Sequence, residues 1–321
     1  KLKEMRMSAV NQNTHFKSAP VTGGSDMLDH LTTKNDREIF FGVYEQGVVG
    51  EATGCEADHH KMLTRGDGVA EEESFLSVVK SNYRIVENEE ILMPLQEQMV
   101  NYFDPTVLAD VQIKDHIAKN GAVCFSEYIF PSVKKPVETD TGHKTDMLLR
   151  FILKNTFNGS SSVVFYGGLI DAFCTNGMIL GDYDVTRRKH TKNFTIDGFV
   201  KAFDDCMVNY KSVVDTYQQW ADTKISYKHN IPLLFSELTN NKNPKKKNTL
   251  ADRLYAQYTD EVANRGSNLF ALTSAITHYA SHNDARFPLR SNADNDSLFK
   301  RQETVRKWFK SKTFEDFLEA A

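Results

Sequence analysis

An Asn-Gly corner between two β-capable runs constrains this chain more than any other stretch. Met147 to Phe157 is one apolar run, Asn158-Gly159 follows, and Val163 to Phe173 is the second. Asn-Gly tolerates the left-handed backbone that tight connections need, so the pattern predicts a β-hairpin. Behind it come Cys174-Thr175-Asn176-Gly177 and a basic cluster, Arg187-Arg188-Lys189, that closes on His190. Two paired strands, a polar corner and a cationic edge therefore lie close together. No familiar enzyme signature sits on them.

The surrounding pattern predicts an α+β fold. Ala122–Phe130 reads as a strand ended by Pro131, with Lys134–Thr145 as a polar connection and Asp184–His190 as a short edge strand. Phe199, Phe203, Cys206/Met207, Tyr210, Val213/Val214, Tyr217 and Trp220 recur at three- and four-residue steps. That stripe predicts one long amphipathic helix, over 198–221, packed on an antiparallel sheet. Thr195 or Asp197 is positioned to cap it. Asn88 is expected to cap a helix through Leu92, Leu95 and Met99, and Val107–Asp115 reads as a short helical piece. Gly167-Gly168, inside a strand, marks a bulge or a close backbone approach. Residues 237–249 are a lysine-rich loop, and Thr249 can cap the first helix of a C-terminal helical region. The expected division is 1–74, an irregular arm with a loop-rich, glycine-bearing segment over 39–70; 75–236, the α+β core; and 237–321, helical.

At 321 residues the chain can bury a substantial core. No apolar run approaches the roughly 18–20 residues that cross a bilayer, so no membrane partner is expected. The N-terminal residues lack the apolar stretch of a secretory signal. Four cysteines without CxxC spacing fit reduced, intracellular thiols rather than a disulfide framework or zinc site. Charge is uneven: Asp26–Glu97 holds 16 acids against six bases, and Lys134–Leu250 holds 17 bases against 12 acids. Such asymmetry fits an anionic partner for the basic part, and equally two solvated surfaces.

Three segments carry a resemblance: Val78–Glu90, VVKSNYRIVENEE; the corner stretches Asn155–Gly159 and Cys174-Thr175-Asn176-Gly177; and Arg187–Thr191, RRKHT. On these the chain resembles the phage/plasmid-like protein family, a domain-of-unknown-function family, over roughly residues 75–285. The resemblance implies a phage, prophage or plasmid origin, hence the cytoplasm of an infected or lysogenic bacterial host, and it implies no chemistry. The hairpin sheet with one covering helix is also similar in outline to ring-forming single-strand annealing proteins, an analogy of fold alone.

The basic elements lead to the functional expectation. Lys154, Arg187, Arg188, Lys189 and Lys192 lie near the sheet, and Lys245, Lys246 and Lys247 lie in the polar loop. Phe165 and Tyr166 lie on a strand, where bases of a single strand would stack; lysine and arginine would hold phosphates. The expected protein is a non-enzymatic single-stranded DNA-binding or annealing protein, acting as a homo-oligomer in phage replication or recombination. The competing expectation is a phage structural or host-interaction protein, with the same aromatics in the core. A third is an enzyme using Cys174 as nucleophile and His190 as base. His278 and His282 share a helix face, but Tyr279 stands where a zinc protease has glutamate, and ordinary helix histidines are expected. No GxxxxGK[ST] or GxGxxG occurs, and neither metal nor cofactor is expected.

Overall fold

A computed structural model describes residues 31, 37–66, 74–172, 177–178, 185–226, 229–240, 249–289 and 295–320. Two antiparallel sheets and eight α-helices lie among them. The smaller sheet is a meander of β1 (Gly42–Val49), β2 (Glu56–Gly66) and β3 (Ser74–Lys80). The glycine-bearing stretch expected to be loop-rich thus forms strands. Gly50 and Gly54 make the β1–β2 turn, with Gly54 at φ +64°, while Gly42 and Gly66 pair within the ladder. Cross-strand pairing decides this stretch, and glycine only weakens it.

The larger sheet runs β4 (Gln112–Ala118), β5 (Val123–Glu138), β6 (Lys144–Thr156) and β7 (Val163–Asp171). Two short strands share the outer edge of β7. β8 (Gly177–Met178) meets Leu169 and Ile170, and β9 (Val185–Arg188) pairs from Val163 to Tyr166. The β6–β7 hairpin turns through Asn158-Gly159 as the sequence predicts. Gly159 has φ +67°, and the Asn158 side chain accepts from the Ser160 N–H at 3.0 Å.

Two expectations about this sheet are corrected. Helix α1 (Asn88–Tyr102) is followed by α2 (Pro105–Leu108), which stops after one turn, and Gln112–Ala118 pairs with β5 instead of continuing the helix. Partly buried Asp115 on this strand holds Arg37 through two contacts, at 2.6 and 2.7 Å. Strand β5 does not end at Pro131. The register slips between Phe130 and Lys134, and Lys134–Glu138 goes on pairing with β6. Proline fits there because β4 pairing has already ended at Ile129, so no N–H is missing from a two-sided ladder.

Helix α3 (Asp197–Asp222) covers one face of the larger sheet. Its buried stripe, from Phe199 to Ala221, is the predicted one, and Phe203 packs against Phe151 with ring centroids 4.8 Å apart. Ile196, not Thr195 or Asp197, occupies the cap position, without a side-chain cap. Gly167 supplies the close approach read from the sequence: a Cβ there would collide with Cys206 of α3. Asn88 is the first residue of α1 rather than its cap. Its amide donates to the Ile39 carbonyl at 2.9 Å, and its side-chain oxygen accepts from Asn155.

A second apolar cluster begins at Ile225 and gathers α4 (Ile231–Leu238), α5 (Leu250–Arg265), α6 (Leu269–Ser281), α7 (Asn295–Phe309) and α8 (Lys312–Ala320). Thr249 caps α5 with a full capping box to Asp252. On the sheet face opposite α3 lie Val123, Phe125, Ile152, Val164 and Tyr166. Helix α7 reaches this side, contacting β4 and placing Glu303 beside Arg187. The sheet is therefore covered on both faces.

Candidate functional site

Double coverage redistributes the residues expected to hold nucleic acid. Phe165 is 1% exposed and stacks on Phe151 beneath α3. Tyr166 is 2% exposed on the other face. Neither offers a ring to a base, which corrects the reading of them as a stacking platform. Lys154 is buried too, with its ammonium 5.2 Å from the Phe125 ring centroid, so it cannot take a phosphate as expected. Arg187 is half-exposed and paired with Glu303 at 2.7 Å, which offsets its charge. Arg188 is exposed, donates to the Arg187 carbonyl at 3.0 Å, and lies against Gly198 at the start of α3. Lys189 and Lys192 are exposed. Lys245, Lys246, Lys247 and Cys174 lie outside the described residues, and with Cys174 the nucleophile–base pairing.

What the chain does bring together is a cleft of about 790 Å³ beside β3. One wall is the end of β3 and the residues after it, Lys80, Asn82 and Tyr83. The other is the hairpin tip, Asn158-Gly159, with residues 190–193, and His60 of β2 also contributes. Apart from His60, Lys192 and Asn193, these lining residues fall within the stretches 78–90, 155–159 and 187–191 that carry the resemblance noted above. Lys80 and Lys192 are exposed cations, and no carboxylate lines the cleft among the described residues. The sequence gives no sign that Lys80, Asn82 and Asn193 share a site, because their proximity depends on pairing β3 against the hairpin.

The walls are tied together by specific bonds. Ser77 Oγ donates to the Phe157 carbonyl and Tyr83 Oη to the Thr156 carbonyl, each at 2.6 Å. The Arg84 N–H donates to the His190 carbonyl at 3.2 Å, and its guanidinium donates to the Phe194 carbonyl at 2.6 Å. Arg84 also pairs with Glu90. Burial raises the Tyr83 phenol well above its ordinary range.

His190 is 7% exposed and lines the cleft. Its ring stacks on Tyr83, with centroids 4.7 Å apart and planes 16° from parallel. Neither ring nitrogen has a hydrogen-bond partner among the described residues. Burial lowers its pKa to about 4, against a weaker opposing effect of the Arg84 backbone. At neutral pH the imidazole is uncharged, with one donor and one acceptor unfilled. Both nitrogens are also shielded from solvent, so the unmade bonds are a cost to the fold of about 1–3 kcal/mol each.

The remaining histidine pair, His278 and His282, lies elsewhere. The rings stack at 4.1 Å and 6°, His278 Nε2 bonds Asp284 at 2.6 Å, and parallel rings do not converge on a common ion. No cluster of three metal-ligating side chains occurs among the described residues. No helix among them is long and apolar enough to cross a membrane.

The architecture defines an α+β protein whose two sheets meet at a cationic, amide-lined cleft. Over residues 75–306 the chain matches the family described as a domain of unknown function, DUF932, and it belongs to that family. No curated protein and no solved structure gives a significant match.

Proposed function

We propose that this is a phage-encoded, non-enzymatic protein that binds single-stranded DNA, and anneals it, in replication or recombination within the cytoplasm of an infected or lysogenic bacterial host. One observation supports the binding: Lys80 and Lys192 line a cleft that has no carboxylate among the described residues, and Lys189 stands exposed next to His190. Lysine ammoniums near a polar, roomy groove attract a polyanion without reading its sequence. The likeness to phage and plasmid proteins supports the origin. Exposed Phe75 and Val78 on β3, with Tyr44 on β1, support self-association of the smaller sheet, consistent with a homo-oligomer.

The test is fluorescence anisotropy with single-stranded DNA, duplex DNA and RNA, titrated from about 50 to 200 mM salt. Single-stranded DNA should bind most tightly, with affinity falling as salt rises. Joint reversal of the cleft charges, Lys80→Glu with Lys192→Glu, should abolish binding at moderate salt. Undiminished affinity in that variant, or no binding to any of the three, overturns the reading.

A further inference from the structure

The smaller sheet is covered on one face only. Val43, Leu63, Leu76 and Val79 are buried in the main core, whereas Phe75 is 57% exposed and Tyr44 and Val78 are exposed with it. An antiparallel sheet with one wet face usually turns polar side chains outward. Here strand pairing gathers the outward residues into two rows. Tyr44, Thr64 and Phe75 lie opposite one another across β1, β2 and β3, and Gln46, Met62 and Val78 form the next row. A register shift between Leu63 and Thr64 puts Phe75 and Val78 on one face although they are three residues apart. Neither row holds a charged residue. In the row beyond, His60 pairs with Lys80, and both line the cleft together with Val78.

Charge and symmetry select what fits this face. A polyanion finds no cation on the two central rows, and cations are the main source of its affinity. A second copy brings the same uncharged rows, so contact face to face buries apolar surface and leaves no charge unpaired. A two-fold axis running across the strands, between the rows, lays the first row of one copy on the second row of the other. The same axis carries the two Lys80 side chains to opposite ends, each over the other copy's Gly42–Gly66 pair. Two sheets stacked about 10 Å apart cover their apolar faces in this way.

We propose that the outward face of the smaller sheet joins two copies of this chain about a two-fold axis, anchored by Phe75 and Tyr44, and so sets the partner beside the cleft. The inference rests on the homo-oligomer of the proposed function and gives it a surface. Three strands make a narrow face, so the contact belongs to the small, reversible class below about 1,200 Å². A dissociation constant in the micromolar range is expected, on the order of 10 µM.

Sedimentation velocity of the full chain from about 1 to 100 µM should show monomer giving way to dimer. Phe75→Gln with Tyr44→Gln removes both anchors at exposed positions outside the cleft. It should raise the dissociation constant by about tenfold or more with little change in melting temperature. Lys80 should be acylated by an amine-reactive ester more slowly in the dimer than in the double variant, relative to exposed Lys201 on α3. A wild type that stays monomeric to about 100 µM overturns the proposal. So does a double variant that dimerises as tightly as wild type, or equal acylation of Lys80 in both. A monomeric wild type whose affinity for a single-stranded oligonucleotide falls in the double variant would give the face to bases instead of a second copy. The single-strand reading fails separately. Dimerisation without oligonucleotide binding ends that reading and leaves this interface standing, and a monomer that binds the oligonucleotide does the reverse.

Discussion

Arg265 of α5 donates to Asp171 at the end of β7 across 2.8 Å, and both side chains are almost completely excluded from water, at 0% and 3% exposure. The same guanidinium holds Glu261 at 2.9 Å, while Asp171 also accepts from Thr145. One buried cation thus joins the sheet to the C-terminal helices and balances two carboxylates.

Removing that cation should be severe. Arg265→Ala leaves two carboxylates buried and uncompensated, a change that costs about 3–5 kcal/mol. The expected result is a large fall in the midpoint of chemical denaturation, with loss of cooperativity between the sheet and the helices. A loss below about 1 kcal/mol would mean that water reaches the pair and that it does not organise this junction.

His190 should make stability fall in acid. Its pKa stands near 4 in the folded chain, against 6.5 for an ordinary histidine. Between those values the unfolded chain holds the extra proton, so acidification favours unfolding. Stability is full above about pH 6.5 and declines until about pH 4, by up to about 3 kcal/mol. His190→Phe removes the titrating group. The stability difference between wild type and variant, followed by urea denaturation across that window, should therefore change in the variant's favour as pH falls. Parallel pH profiles would show that the ring is solvated.

Lys154 and Phe165 separate burial from binding. Phe165→Ala should cost about 3–5 kcal/mol through the cavity it opens beneath α3, and Lys154→Met should leave salt-dependent binding to single-stranded DNA unchanged. Lys192→Glu should weaken that binding by about tenfold or more with little change in melting temperature. If Lys154→Met weakened binding as much as Lys192→Glu, the sheet face beneath α7 would have to open to ligand.

These contrasts show where sequence patterns carry structure and where they do not. The Asn158-Gly159 hairpin, the α3 stripe and the Thr249 cap were legible because each is decided within a few neighbouring residues. The helical reading of Val107–Asp115 runs into the first half of β4 because that strand's pairing partner lies on β5, and its own residues alternate only weakly. The aromatic platform failed for a reason already visible in the chain. Residues 163–166 are apolar without alternation, the signature of a strand covered on both faces, so neither Phe165 nor Tyr166 was free to meet a ligand. The cleft itself was only half legible. Lys192 and His190 were in view, but Lys80, His60 and the amides join them through contacts across more than 70 residues, such as Ser77 with Phe157 and Tyr83 with Thr156.

Arg84 should control how firmly the cleft is closed. Its N–H and its guanidinium hold the His190 and Phe194 carbonyls, and its guanidinium lies 5.3 Å from the Phe194 ring centroid. Arg84→Ala keeps the backbone bond and removes the side-chain bond and the stack, so the 190–194 wall loosens while the β6–β7 hairpin stays intact. Amide hydrogen exchange should rise in 190–194 with little change in 147–156. Binding at the cleft should weaken through faster dissociation, because an ordered wall is what keeps a bound group in place. Exchange that rises equally across the hairpin would mean that Arg84 supports the whole junction between the two sheets rather than this one wall.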